Sequence, residues 1–376
     1  MKKVVVLGSG MVGRAIIEDL SRKYTVLAVD INSENLTKIR SNENIESLKI
    51  DLSNKNNIAK ITRGSDLIIG TVPGFMGFQT LKTVIEAGKD IVDISFFPED
   101  AFELDELAKK KDVTAVVDCG VAPGMSNLIL GFHNSKMKVE DFACFVGGLP
   151  FKRELPYQYK APFSPIDVIE EYIRPARFME NGKIVIKPAL SEPELIEFEK
   201  VGTLEAFNTD GLRSLLKTME IPNMNEKTMR YPGHIEYIKV MKETGFFQTD
   251  EIEVNGKKIR PIDLTTQLLI PKWKLEDNEP EFTVMKIIVS GQEDGKPQKY
   301  IYTLFDEFDQ KTKTSSMARS TGYACTSVAE LVLSGDFSKK GICPPEFIGI
   351  EQKCFEKVLE YQRRRGIDYQ VREINN

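Results

Sequence analysis

The rhythm of hydrophobic and polar positions changes near residue 138. Before that point short apolar runs, several of them continuously apolar, alternate with amphipathic stretches. The runs are Lys3–Leu7, Thr25–Val29, Ser47–Ile50, Leu67–Gly70, Ile91–Ile94 and Ala115–Val117, and most are followed by a helical period. Runs that are apolar at successive positions, rather than at every second one, suit strands of a parallel sheet covered on both faces. The pattern predicts an α/β domain built on a six-stranded doubly wound parallel sheet. In such sheets ligands bind at the carboxyl ends of the strands. Those ends carry Gly8–Gly13, Asp30, Asp51, Thr71-Val72-Pro73-Gly74, Ser95-Phe96-Phe97 and Asp118-Cys119-Gly120.

After Lys138 the runs lengthen and some alternate. Phe142–Val146, Ile184–Lys187, Thr203–Asn208, Thr283–Gly291 and Lys299–Leu304 read as strands. Pro165–Tyr172, Asp210–Thr218, His234–Lys242 and Ile262–Leu269 read as helices between them. Mixed in this way, they predict a second, α+β domain. Ala318–Leu333 and Gln352–Arg365 are helical by period and are expected to fold back on the first domain. The organisation expected is residues 1–138, 139–310 and 311–376.

Composition narrows the function. The 376 residues carry 51 Lys and Arg against 56 Asp and Glu, a net charge of −5, with signs well mixed. No basic run exceeds three residues, as in Arg363-Arg364-Arg365, so neither nucleic acid nor membrane is expected as a partner. No window reaches the roughly 18 apolar residues of a spanning helix, and a strand begins almost at the N-terminus, so a cytoplasmic protein is expected. Five cysteines, Cys119, Cys144, Cys325, Cys343 and Cys354, show no metal-ligand or disulfide spacing and read as reduced thiols. With only His133 and His234 available, no metal site is expected.

The first strand runs into Gly8-Ser9-Gly10-Met11-Val12-Gly13, a glycine-rich bend that opens a helix. Gly8 serves the tight turn, Gly10 leaves room for a pyrophosphate, and Gly13 lets helix and strand pack closely. The phosphates would meet the free N–H groups of that helix. This order of elements predicts a Rossmann-type dinucleotide site. Asp30, ending the second strand, would accept hydrogen bonds from the adenosine ribose and repel a 2′-phosphate, which favours NAD. Its alternative role is to cap the next helix, as Ser33 could. Asp51 and Thr71-Val72-Pro73 extend the cofactor edge.

Candidate substrate chemistry follows. Asp118 opens a rigid Gly-Val-Ala-Pro-Gly loop over the crevice, as a catalytic carboxylate or as an Asx-turn. Asn208-Thr209-Asp210 cluster at a strand-to-helix junction, where they could hold an amino acid's ammonium and carboxylate or simply cap the helix. Arg230 suits bidentate capture of a carboxylate, and so do Arg174 and Arg177, unless these are solvated surface charges. His234 has the ordinary pKa range of a proton carrier.

Together Gly8–Gly13, Val92-Asp93-Ile94-Ser95-Phe96, Asp118–Gly124, Val146-Gly147-Gly148-Leu149-Pro150, Asn208–Gly211 and Arg230-Tyr231-Pro232-Gly233-His234 resemble the saccharopine dehydrogenase family, most closely its lysine 6-dehydrogenase branch. The resemblance spans nearly the whole chain. It implies NAD-dependent oxidation of L-lysine at its ε-carbon to allysine, which cyclises to a piperideine carboxylate. It also implies that Ser95 and Phe96 lie near the nicotinamide, that Asp118 and Gly120 lie near cofactor and substrate, that Asn208–Asp210 surround the substrate, and that the protein is a homodimer. Phe96 stands where relatives often carry tyrosine. A saccharopine-type or carboxynorspermidine-type reductase is the competing enzyme reading, and a nucleotide-binding sensor the competing non-enzyme one.

Overall fold

The computed structural model describes residues 1–375, which form two compact units. One comprises Met1–Lys138 and Met317–Tyr369; the other comprises Val139–Ser316 and the segment from Gln370. In the first unit β1 (Lys3–Leu7), β2 (Thr25–Asp30), β3 (Ile45–Lys49), β4 (Leu67–Gly70), β5 (Ile91–Asp93) and β6 (Thr114–Val116) join a seventh strand, Gly341–Cys343. Every pairing is parallel, and the order is Gly341–Cys343, β6, β5, β4, β1, β2, β3. The order reverses between β1 and β4, which is where such sheets open a ligand crevice. Val4, Val5, Val6, Leu7, Ile68, Ile69, Ile91 and Val92 are fully buried, which accounts for their unbroken apolar runs.

The seventh strand escapes the sequence pattern because three residues carry no period. It holds its place by pairing Gly341 with Thr114 and Cys343 with Val116. Helices Ser316–Ser334 and Gln352–Arg363 return to this unit. Buried Asp19, on helix Met11–Leu20, anchors them. It accepts hydrogen bonds from Thr326 Oγ1 at 2.8 Å, Tyr361 Oη at 2.9 Å and Arg365 Nε at 2.7 and 2.8 Å.

The second unit is built on a mixed sheet. Its main path runs Glu194–Phe198, Gly202–Asn208, Asn223–Arg230, Lys138–Pro150, Glu281–Glu293, Lys296–Glu307 and Gln370–Asn375, and the hairpin Ala176–Glu180 and Lys183–Lys187 branches from Asn223–Arg230. Helices Pro165–Ile173, His234–Thr244 and Pro261–Trp273 meet over an aromatic core of Tyr159, Tyr172, Phe207 and Trp273. Strand Asn223–Arg230 is polar in sequence yet almost entirely buried at its carboxyl end, so position in the sheet decides its state.

The helix expected over Asp210–Thr218 shrinks to Leu215–Thr218. Asp210 is drawn to Arg177, and Arg213 takes a left-handed backbone with φ 45°, which a continuing helix does not permit. All five cysteines are free and buried. Among the described residues no helix is long and apolar enough to cross a membrane.

Candidate functional site

In the first unit, direct contacts join the loops at the carboxyl edge of the sheet. Gly8 has φ 112°, and a Cβ there would stand 2.7 Å from the Thr71 carbonyl oxygen. Thr71 Oγ1 donates to the Gly8 carbonyl at 2.8 Å. A Cβ on Gly13 would come within 2.3 Å of that same Gly8 oxygen, so the helix touches the loop backbone to backbone. Gly10 differs, because a Cβ on it would meet nothing within 4 Å. No side chain caps the N-terminus of helix Met11–Leu20, so its first N–H groups are left to whatever occupies the open space over Gly10. With Ser9, Met11 and Val12 between the glycines, this cradle fits a dinucleotide pyrophosphate.

Asp30 is buried and already bonded. Its carboxylate accepts from the Ser9 N–H at 2.8 Å, the Asn32 N–H at 2.8 Å and Asn35 Nδ2 at 3.1 Å. It therefore braces the glycine loop and the start of the next helix at the carboxyl end of β2. The cap of that helix is Asn32, whose side chain accepts from the Glu34 N–H, and not Ser33. Ile31 beside it is 60% exposed and offers an apolar face. Asp51 is exposed, and the Ser53 amide holds its carboxyl below the usual range. Val72 is buried and Pro73 exposed at the start of helix Gly74–Glu86.

Beyond β4 the edge is organised by Asp93, a fully buried carboxylate that sequence reasoning left out of the site. Gly70 makes room for it, since a Cβ there would lie 1.8 Å from Asp93 Oδ2. Asp93 accepts from the Ser95 N–H at 2.8 Å and from Ser95 Oγ at 3.3 Å, and its carbonyl accepts from Cys119 N at 3.0 Å. The Asp-x-Ser spacing was the signal available for it. Ser95 and Phe96 are thus tied to the loop that carries Asp118 and Gly120. Asp118 is 6% exposed and held at φ 55°, a backbone region uncommon outside glycine and found at functional sites. Burial, with Asp93 and Asp118 nearby, pushes the Cys119 thiol up, so it stays protonated.

In the second unit, the candidate cations are paired with carboxylates. Arg177 grips Asp210 in a fork, Nε to Oδ1 at 2.9 Å and Nη2 to Oδ2 at 2.8 Å. Arg174 faces Glu170 at 3.5 Å. Arg230 is 2% exposed. It donates to Glu171 Oε2 at 2.9 Å, Tyr172 Oη at 3.1 Å and the Met229 carbonyl at 2.9 Å, and its guanidinium lies 4.3 Å above the Tyr159 ring. Burial opposes its charge, but Tyr159, Tyr172 and Glu171 together keep it protonated. The expectation that Arg177, Asp210 and Arg230 present open groups to a substrate is corrected: their charges are spent on one another and on Glu171.

His234 is corrected likewise. It is fully buried, Nδ1 lies 2.8 Å from the Tyr157 carbonyl, and Nε2 lies 3.0 Å from Tyr172 Oη. A carbonyl only accepts, so the proton sits on Nδ1 and Nε2 accepts from the tyrosine. Burial, reinforced by Arg230, pushes its pKa down to about 3, so it is a neutral structural link and not a proton carrier near neutral pH. Glu171 and Tyr172, which help complete this cluster, carry no sequence signal beyond helical spacing, and Tyr159 lies in the irregular segment before that helix.

Asn208 turns its amide toward Ser191 Oγ at 3.0 Å and Glu192 at 3.2 Å, which leaves its buried Oδ1 without a partner. Thr209 Oγ1 meets Thr228 Oγ1 at 3.0 Å. Among the described residues, no group of three or more His, Cys, Asp or Glu could hold a metal ion.

Two family models cover almost the entire chain. Residues 4–116 match the saccharopine dehydrogenase NADP binding domain, and residues 120–367 match the saccharopine dehydrogenase C-terminal domain. Saccharopine dehydrogenase [NADP(+), L-glutamate-forming] from Pyricularia oryzae is 26% identical over 76% of this chain and 66% of its own length. Carboxyaminopropylagmatine dehydrogenase from Synechocystis is 20% identical over 91% of this chain and 92% of its own length. The apo saccharopine dehydrogenase (L-Glu forming) from Saccharomyces cerevisiae shares the fold, with a TM-score of 0.79 at 19% identity over the full length of both chains. The chain spans between 24% and 66% of the length of several of the curated relatives it matches.

Proposed function

Because the chain belongs to the saccharopine dehydrogenase family, we propose that it oxidises L-lysine at the ε-carbon with NAD to an imine, which water hydrolyses to ammonia and allysine, and that the allysine cyclises to a piperideine carboxylate. The observation that carries this choice is the state of the cations in the second unit. Arg177 is neutralised by Asp210 and Arg230 by Glu171, while Arg174 faces Glu170. Saccharopine brings three carboxylates, each of which needs a cation when desolvated. Lysine brings one, and so makes the smaller demand on cations that are already paired.

NAD is preferred over NADP because the donors to Asp30 (Ser9, Asn32 and Asn35) are neutral, so its charge stays uncompensated. A 2′-phosphate at about 4 Å would be repelled by on the order of 4 kcal/mol at an effective dielectric near 20. Bound over the glycine loop, the nicotinamide supplies a hydride acceptor. The chain's own part is positional. Gly8–Gly13 hold the pyrophosphate, Asp30 the ribose, and Thr71, Ser95, Phe96 and Gly120 the reacting end. Asp118 receives the ε-amine and draws off its proton. The amine must be neutral to release hydride, and at pH 7 this costs roughly 4 to 5 kcal/mol from a reference pKa near 10.4.

A second reading, a dehydrogenase of carboxynorspermidine-type secondary amines, rests on the end-to-end match with the Synechocystis enzyme. The test is NAD reduction with L-lysine, ornithine, saccharopine and a carboxyalkyl polyamine, with ammonia assayed in parallel. Lysine-dependent reduction with equimolar ammonia is expected, with kcat/KM climbing by up to about tenfold per pH unit between about pH 7 and pH 10. A flat profile over that range would sink the mechanism, and turnover of the polyamine alone would favour the second reading. A cytoplasmic homodimer completes the proposal, and mass by light scattering tests its assembly.

A further inference from the structure

The loop from Asp118 to Gly124 is tightly wound. The Gly120 N–H donates to the Pro123 carbonyl at 3.1 Å, and the Met125 N–H donates to the Gly120 carbonyl at 3.0 Å. At Gly124, with φ 140°, a Cβ would sit 1.9 Å from the Gly120 oxygen, so the two glycines press backbone on backbone. The outward end of this loop is held by a side chain. The Gly124 N–H donates to Asn127 Oδ1 at 3.2 Å, Ser126 Oγ donates to the same oxygen at 3.1 Å, and Asn127 Nδ2 donates to Glu346 Oε2 at 3.2 Å. Asn127, Ser126 and Glu346 are all fully buried.

Glu346 reaches this place because two helices touch without side chains between them. A Cβ on Gly131 would lie 2.2 Å from the Glu346 carbonyl oxygen, and one on Gly349 would lie 2.0 Å from the Leu128 oxygen. Helix Pro345–Gly349 therefore lies directly on helix Met125–Asn134 and delivers a carboxylate one turn from the loop. A buried carboxylate is costly unless it is hydrogen-bonded, and here the bond it makes fixes which way the Asn127 amide faces.

We propose that Glu346 is a positioning residue. Through Asn127 it orients the Gly124 amide and so sets the loop that presents Gly120 to the cofactor and Asp118 to the substrate. The amide has two orientations, and only one offers oxygen to Gly124. The Glu346 carboxylate accepts but never donates, and so selects that orientation. This rests on the reading of the Asp118 loop given under the proposed function, and the experiment separates the two.

In the full-length protein, hydrogen exchange of the Gly120–Gly124 segment and equilibrium NADH titration by fluorescence are measured for wild type, N127D, E346Q and the double variant. N127D sets two carboxylates face to face. Exchange in the segment should accelerate and NADH affinity should fall, each on the order of tenfold. Adding E346Q restores the contact with donor and acceptor exchanged, and both values should return to within about threefold of wild type. E346Q alone keeps shape and volume but trades a charged acceptor for a neutral one, so exchange at Gly124 should rise about threefold. It serves if N127D does not fold. Variants that lower only the melting temperature, with loop exchange and NADH affinity unchanged, overturn the proposal. So does a double variant no better than N127D. If these binding and exchange effects appear while wild type oxidises no amine, the catalytic reading fails and the positioning role of Glu346 stands.

Discussion

Gly13 and Gly10 lie three residues apart in one motif, yet the structure predicts opposite consequences for adding a methyl group to each. At Gly13 the new Cβ would stand 2.3 Å from the Gly8 carbonyl oxygen and 2.9 Å from Thr71 Oγ1. An ordinary carbon–oxygen contact needs about 3.3 Å, so the start of helix Met11–Leu20 must retreat by about 1 Å. Overpacking of this kind costs about 1 to 3 kcal/mol, only partly offset by the 0.5 to 1 kcal/mol that alanine gains over glycine within a helix. Gly13→Ala should therefore lower the apo melting temperature by a few degrees, about 2 to 8 °C, and weaken NADH binding as the helix N-terminus recedes. At Gly10 the backbone is extended, with φ −65°, and the Cβ would meet nothing within 4 Å. Gly10→Ala should melt within about 1 °C of wild type. It should nonetheless bind NADH more weakly by on the order of tenfold or more, because its methyl occupies the approach to the pyrophosphate. Differential scanning fluorimetry without cofactor and fluorescence titration with NADH read the two effects separately. A Gly13→Ala protein as stable as wild type, or a Gly10→Ala protein of unchanged affinity, would refute the assignment of packing to one glycine and ligand space to the other.

Acid stability offers a second check. His234 is held at about 3 when folded against 6.5 for the free side chain, and His133 at about 4, both chiefly by burial. The unfolded chain thus binds the extra protons, so this stability is full above about pH 6.5 and is lost as pH falls, at up to about 1.4 kcal/mol per pH unit for each histidine. His234→Phe should flatten that dependence in urea titrations between about pH 6.5 and pH 4, and an unchanged slope would contradict the burial argument. Asp210→Asn breaks the fork to half-exposed Arg177 and should cost about 1 to 2 kcal/mol by urea unfolding, with the lysine KM moving less than about twofold; a large KM change at unchanged stability would return Asp210 to the substrate. Asp30→Ser removes the charge that braces Ser9 and faces the ribose. It should narrow the preference for NAD over NADP by on the order of tenfold, as measured by the ratio of their dissociation constants, and an unchanged ratio would place the discrimination elsewhere.

β1, β2, β4, β5 and β6 were legible because strands covered on both faces must be largely apolar, whereas β3, at the sheet edge, keeps three exposed positions; each was placed to within a few residues. The glycine loop was equally plain, since Gly8 and Gly13 sit where a Cβ collides with backbone. Gly341–Cys343 and the polar strand Asn223–Arg230 were not legible, because their state comes from the strands they join. The helix over Asp210–Thr218 was misread because helical period cannot register the pull of Arg177 on Asp210 from more than thirty residues away.

Periodicity and motif spacing by themselves determined a doubly wound parallel sheet with a dinucleotide fingerprint, and the resemblance of its motifs pointed to the family. These are local properties of the chain, set by what each short segment must bury and how each turn must bend. The tertiary structure alone decided which charges remain open. Arg177, Arg230 and His234 look available in sequence, but each has its partner supplied by a distant segment: Asp210 for the first, Glu171 for the second, Tyr172 and the Tyr157 carbonyl for the third. Glu346 shows the reverse, an unremarked acid more than two hundred residues from the loop it orients. Electrostatic availability depends on three-dimensional neighbours and burial, and no spacing along the chain encodes either.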